Sequence, residues 1–141
     1  QRVGRQTSGS QILTWDDPAS KGEARLESLY RQTFQRLAEH EATFRAAIRQ
    51  TLEPSTETPG DKTLGRGHRK ALLARAVGDT ELPPQIAKRL VQSLSLTFGI
   101  EAMIVLKDIC GLNDQEAEAV AIWSANALLQ AARRDAGLPD A

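Results

Sequence analysis

Apolar residues in the first half of the chain recur at the three-to-four-residue spacing of one helix face. Asp17 and Pro18 are typical of a helix start, where an acidic cap precedes a proline in the first turn. The apolar positions that follow are Leu26, Leu29, Tyr30, Phe34, Leu37, Phe44, Ile48 and Leu52. The pattern predicts helical structure from about Asp17 to Pro54, either continuous or bent near residues 39–41.

Prolines, glycines and hydroxyl residues then predict a long polar loop over 55–67. A short apolar-periodic stretch, His68–Val77, predicts a helix that ends at Gly78. Leu82, Pro83 and Pro84 open the next element, because proline is tolerated in the first turn of a helix.

The segment from Gln85 to Cys110 is apolar on nearly all sides of a helix, so it predicts one long helix that is covered on more than one face. Gly99, in its middle, lowers helix propensity by about 1 kcal/mol and suggests a close helix crossing. Gly111 is placed to adopt a left-handed helix end, and the spacing of Asn113 and Glu116 fits a capping box. These signals predict a helical hairpin whose last helix runs from Asp114 to about Ala136.

Small residues along the last helix would allow another helix to approach closely, and the hairpin carries more apolar surface than thin neighbouring helices cover. The sequence therefore predicts an all-α domain of about five helices, whose last two long helices form an antiparallel hairpin. In a homodimer, two hairpins would build a four-helix bundle. The predicted interface residues are Leu106, Ile109, Val120, Trp123, Ser124, Ala127, Leu128 and Ala131. Each of these residues lies either in the subunit interface or in the internal core, because the sequence does not decide which of two neighbouring helix faces meets the partner.

Composition excludes several function classes. The 141 residues carry 18 basic and 18 acidic side chains, two histidines and one cysteine. With one cysteine the chain can form neither an intramolecular disulfide nor a cysteine-rich zinc site. No serine or cysteine has a histidine and an acid at a spacing that indicates a catalytic nucleophile. We therefore predict no catalytic residue, no metal, no cofactor and no enzymatic activity. Cys110, with Lys107 as its basic neighbour, is predicted to be a buried structural thiol.

The charge pattern, the apolar runs and the first residue of the chain indicate its cellular location and its partners. No dense basic stripe is present for DNA phosphates, and no apolar run reaches the length of a membrane span or signal peptide. We expect a cytoplasmic protein without a membrane partner. Because Gln1 is first and Met103 is the one methionine, we also expect a piece of a longer protein. The predicted division is a poorly ordered lead-in or linker over 1–15, a helical domain over 16–136 and a tail over 137–141.

The stretch GIEAMIVLKDICGL at 99–112, followed by NDQEAEAVAIWSANALLQAA at 113–132, resembles the C-terminal region of the TetR/AcrR family of bacterial transcriptional regulators. Looser similarity lies at Asp17–Pro18 with the following ARL, at EATFRAAIR over 41–49 and at GHRK over 67–70, so the resemblance covers about residues 16–136. It implies an all-helical domain that dimerises through its last two helices and binds a small effector. Operator DNA would be contacted only by an N-terminal helix-turn-helix domain, which nothing in this sequence matches.

The residues that would line such an effector pocket are Tyr30, Phe34, Phe44, Ile48, His68, Leu72, Leu94, Phe98 and Glu101. Each apolar member is either pocket wall or ordinary core, because both give the same periodicity. His68, beside Arg69 and Lys70, either meets an anionic effector or opens a solvated helix. Glu101 needs a hydrogen-bond or charge partner in so apolar a segment. It either contacts a ligand, pairs with an internal or cross-subunit partner, or lies on a locally exposed face. The competing function is a helical module whose hairpin binds a different protein and which has no small-molecule site.

Overall fold

The computed structural model describes residue 15 and residues 21–52, 66–78 and 80–140 of the 141-residue chain. All regular structure in these ranges is helical, which confirms the predicted all-α class. The described residues form six α-helices, α1 (Gly22–Glu39), α2 (Glu41–Leu52), α3 (Arg66–Val77), α4 (Pro84–Leu94), α5 (Ile100–Ile104) and α6 (Asp114–Asp135), and a π-helical turn over Val105–Ile109. The predicted helix start at Asp17–Pro18, the helix end at Pro54 and the loop up to residue 65 lie outside the described residues.

Of the two alternatives for the first helical segment, continuous or bent near residues 39–41, the structure shows the bend, because α1 ends at Glu39 and α2 begins at Glu41. His40 lies between them, yet its amide still donates to the carbonyl of Arg36 at 3.1 Å, and its carbonyl accepts from Phe44 at 3.1 Å. The hydrogen bonds are thus continued across the bend. The change in direction lets both helices turn an apolar face to the same core.

The core is built around α1, which packs against α6 and α3. Its buried residues are Leu26, Leu29, Tyr30, Thr33, Phe34 and Leu37. Trp15 is buried with them, and the guanidinium carbons of Arg25 and Arg75 lie 5.1 Å and 4.7 Å from the centroid of its ring. The packed domain therefore includes Trp15, the last residue of the predicted lead-in.

The prediction of one long helix from Gln85 to Cys110 is wrong. Pro83 and Pro84 do open α4 as predicted, but α4 ends at Leu94, and a non-helical link over 95–99 separates it from α5. Gly99 ends this link with φ +102° and ψ −174°, a conformation that is essentially restricted to glycine. The glycine marks a break in the helix rather than a close helix crossing.

Gly99→Ala is expected to lower the free energy of unfolding by about 2–3 kcal/mol, since it strains the backbone and crowds Arg69. A Cβ at this position would lie 3.1 Å from the Arg69 guanidinium carbon. Gly111→Ala is the matched control, because Gly111 also has a positive φ of +74° but open space around its Cβ position. That variant should lose about 1 kcal/mol in urea unfolding. Equal losses would show that Arg69 does not restrict this position.

The second arm of the predicted hairpin begins where the sequence indicates. Gly111 adopts the predicted left-handed conformation. In the predicted capping box, the Glu116 amide donates to Asn113 Oδ1 at 2.8 Å, and the Asn113 amide donates to Glu116 Oε1 at 2.9 Å. From there α6 runs from Asp114 to Asp135 and buries a stripe of mainly small residues, Ala117, Ala121, Ala125, Leu129 and Ala132.

Candidate functional site

Five large apolar side chains are exposed on neighbouring elements: three of them line one groove, and each of the other two lies about one helical turn beyond one of those three. We call them the apolar face: Leu96 (82% exposed), Val105 (47%), Ile109 (77%), Val120 (40%) and Trp123 (73%). Leu96 lies in the link, Val105 and Ile109 lie on the π-helical turn, and the other two lie on α6. Clustered apolar residues of this size in water are typical of a surface that binds something.

A groove of about 370 Å³ runs through the apolar face. Its lining residues are Arg69, Ser95, Leu96, Thr97, Glu101, Ala102, Val105, Leu106, Val120, Ala121 and Ser124. On the side of the π-helical turn and α6 the wall is apolar except for Ser124. At the end nearest α3, the groove is lined by the guanidinium of Arg69 and the carboxylate of Glu101. The groove therefore combines apolar contact area with a small polar end, the usual composition of a small-molecule site.

Arg69 forms that polar end by reaching from α3 to the other side of the link. Its Nη1 donates to the carbonyl of Phe98 at 3.1 Å, and its Nη2 lies 2.8 and 3.0 Å from the two carboxylate oxygens of Glu101. The position of Gly99, directly against the guanidinium, lets the chain pass this closely. Of the three alternatives for Glu101, the structure shows an internal partner, and the same carboxylate lines the groove.

The link is held from the core side by Tyr30. Its hydroxyl lies 2.8 Å from Thr97 Oγ1 and donates to the Leu94 carbonyl at 3.2 Å. Burial raises the pKa of this tyrosine well above its usual value, so the hydroxyl stays protonated and remains a donor. Two side chains far away in sequence, Tyr30 and Arg69, thus fix the break that shapes one end of the groove.

The π-helical turn that carries Val105 and Ile109 is held by its amides and by charges. The Cys110 amide donates to the carbonyl of Val105 at 3.1 Å, five residues back instead of four. Lys107 Nζ lies 2.6 Å from carboxylate oxygens of both Glu41 and Asp114, so one ammonium group joins α2 to α6.

The same cluster includes Arg45, which binds Asp108 through two parallel hydrogen bonds of 2.9 Å and Glu41 through one of 2.7 Å. Hydrogen bonds from Lys107 and Arg45 lower the pKa of Glu41, and Arg45 lowers the pKa of Asp108. Both carboxylates therefore remain charged at neutral pH and keep the π-helical turn against α2.

Most of the predicted ligand-binding residues lie in the packed interior and not in the groove. Those that are buried in the core are Tyr30, Phe34, Phe44, Leu72, Leu94 and Phe98. Ile48 packs against the edge of the core. His68 is half-buried, and its Nε2 has no hydrogen-bond partner within the described part of the chain. Among the predicted set, Glu101 alone is found in the lining of the groove.

The predicted interface residues lie on the solvent side of α6 and the π-helical turn. Ile109, Val120, Trp123 and Ala127 are exposed. The half-buried members are Leu106, Ser124, Leu128 and Ala131. The buried stripe through Ala121 and Ala125 occupies another face of α6. Leu106 and Leu128 also pack against the core cluster. The assignment of the eight residues to a subunit interface stays a prediction.

Several residues of the site were not predicted. Leu96, Thr97 and Val105 were assigned to the interior of a long helix, and the break that exposes Leu96 leaves no periodic signal in so apolar a segment. Arg69 was noted as part of a basic cluster, without its partner Glu101. Cys110 was predicted to be buried and is exposed, because it follows the π-helical turn at the domain surface.

Comparisons with models of protein families, with curated proteins and with solved structures find no match for this chain. Within residues 15, 21–52, 66–78 and 80–140, no helix is both long enough and apolar enough to cross a bilayer. The same residues contain no group of three or more side chains placed to hold a metal ion.

Proposed function

We propose that this domain is the effector-binding and dimerisation half of a TetR-like transcriptional regulator. The observation that carries the proposal is the apolar face, which lies on the two elements that the sequence resemblance assigns to dimerisation. Ile109, Val120 and Trp123 are both predicted interface residues and members of the face. A second hairpin packed on this face would complete a four-helix bundle and remove the apolar side chains from water.

The groove supports the effector part of the proposal. Its volume of about 370 Å³ lies within the range of small-molecule sites. Val105, Leu106 and Val120 line it, and they belong to the elements that would also meet the partner subunit. A molecule in the groove would therefore favour one placement of the subunits over another. An apolar effector with one polar group fits the wall and the Arg69–Glu101 end.

In this proposal the subunit placement sets the separation of two DNA-binding heads. Operator DNA would be bound by a helix-turn-helix domain outside this sequence, and the protein would act in the cytoplasm as a homodimer. The described residues contribute the ligand-dependent part of the switch.

Native mass spectrometry of the purified chain tests the proposal, because it reports subunit number and retained small molecules together. We expect a dimer of twice 15.4 kDa. Retained mass that disappears in Ser124→Phe, which would fill the groove from its wall, would locate an effector there. A dimer to which added apolar carboxylates and amines never bind would contradict the effector half.

A chain that stays monomeric at all concentrations would contradict the homodimer. The apolar face would then favour the second candidate function, a helical module that binds a different protein. Its exposed tryptophan and isoleucine fit the hydrophobic centre of such an interface.

A further inference from the structure

In the exposed stripe of α6, the two charged ends and the central pair of residues are placed symmetrically. Glu116, Val120, Trp123, Ala127 and Arg134 are all exposed. At 100° per residue they fall within a sector of about 60° around the helix. The stripe therefore starts with a negative charge, has an apolar middle and ends with a positive charge.

The pattern is centred on Ala125, which faces the core on another side of the same helix. Trp123 and Ala127 are equally far from this centre, and so are Glu116 and Arg134. A second α6 laid antiparallel over the first, with the two centres superposed, would set a large side chain against a small one and a carboxylate against a guanidinium. The large–small pair and the carboxylate–guanidinium pair would each occur twice in the dimer, because the contact is two-fold symmetric.

From this symmetry we infer that two copies of α6 pack antiparallel through their exposed stripes, with the two-fold axis at the height of Ala125 along the helix. In that arrangement Trp123 lies against the partner subunit's Ala127, and Glu116 pairs with the partner subunit's Arg134. The inference rests on the homodimer proposed above and specifies which helices meet and in which register.

The charges favour this arrangement over the others. A parallel pairing would place like charges beside each other at both ends of the stripe, which opposes association. Arg134 has no ion-pair partner within the described residues, and Glu116 uses one oxygen in the capping box and keeps the other for a partner. A pattern that is complementary to its own reversal is matched by a second copy of the same helix, so the occupant that the charges favour is a second copy of the chain.

A charge exchange tests the register. Arg134→Glu alone and Glu116→Arg alone are each expected to raise the dimer Kd about tenfold, since each variant places two like-charge pairs in the interface. The double variant Glu116→Arg/Arg134→Glu restores both pairs and should return Kd to within about threefold of the wild type. The Glu116→Arg single variant and the double variant both lose the hydrogen bond from the Asn113 amide to Glu116. The difference in Kd between these two variants therefore reports on the charge pairing alone.

Arg49→Glu is the matched control, because Arg49 is also an exposed arginine in the last turn of a helix, α2. It should leave Kd unchanged in sedimentation equilibrium. If both stripe variants also left Kd unchanged, or if the double variant failed to recover, the register would be overturned while the dimer itself stood. A wild-type chain that is monomeric throughout the concentration series would overturn the dimer and this inference together.

Crosslinking gives a second measurement that does not depend on charge. In a Cys110→Ser background, Trp123→Cys chains mixed with Ala127→Cys chains should form the mixed disulfide faster than either chain bonds to itself. Faster self-linking by either chain would contradict the pairing of Trp123 with the partner subunit's Ala127.

Discussion

Ala127→Asp is expected to convert the protein into monomers and to raise the dimer Kd at least about a hundredfold. Ala127 is exposed at the middle of the α6 stripe, so the aspartate is fully hydrated in the monomer and costs the fold little. In the proposed dimer it would lie beneath the partner subunit's tryptophan, where its charge would have no counterion. The effect would occur at two symmetric positions in each dimer.

Sedimentation velocity over a concentration series measures this change, and circular dichroism checks that helix content is retained. Ala46→Asp is the matched control, since Ala46 is an exposed alanine in the interior of another helix, α2. It should dimerise as the wild type does. If Ala46→Asp were monomeric and Ala127→Asp dimeric, the subunits would meet through α2, and the interface assigned to α6 would be wrong.

Phe98→Ala is expected to lower the free energy of unfolding by about 3–5 kcal/mol, because it removes a fully buried ring and leaves a cavity. The ring packs edge-on against Tyr30, with centroids 5.0 Å apart. Phe98 was predicted from sequence as a possible pocket residue, whereas its packing makes it part of the core. A large loss of stability is the result expected from core packing.

Leu96→Ala is the comparison for that experiment, because Leu96 is two residues away and 82% exposed. Its unfolding free energy should change by less than about 0.5 kcal/mol. Both variants are best compared by urea unfolding in the Ala127→Asp background, so that subunit dissociation does not add to the result. A Phe98→Ala loss as small as that of Leu96→Ala would mean that the ring borders a cavity that ligand or water fills.

Local signals in the sequence predicted local structure well. The capping box of Asn113 and Glu116, the left-handed Gly111 and the proline start of α4 each depend on residues a few positions apart, and all three are present. The bend at His40 was left open because no glycine or proline forces it. Periodicity does not reveal it, because Phe44 and Ile48 continue the apolar spacing of α1 beyond His40.

The break between α4 and α5 could not be predicted in the same way. The segment on either side is uniformly apolar, so its periodicity is nearly the same for one helix or two. Its determinants lie elsewhere in the chain: Tyr30 hydrogen-bonds near Thr97, and Arg69 binds the Phe98 carbonyl. A glycine alone does not reveal whether its backbone is helical or has a positive φ.

The effector-site residues illustrate a related limit. Periodicity identified Phe34, Leu72 and Leu94 as inward-facing, and they are buried. It did not distinguish a filled core from a hollow one, because both need apolar residues at the same positions. The groove instead lies between the break, the π-helical turn and the middle of α6. Its polar end joins Arg69 and Glu101 across 32 positions of the chain.

In the π-helical turn over Val105–Ile109, the number of residues determines which way the side chains face as much as their identity does. The turn lies between Gly99 and Gly111, two points where the backbone direction is fixed by a positive φ. Removing one residue between them would change the phase of the intervening side chains by about 100°, the rotation of a single helical position. Val105 and Ile109 would then face another neighbour. Natural variation between these two glycines should therefore proceed by substitution at constant length, even where the flanking helices tolerate insertions.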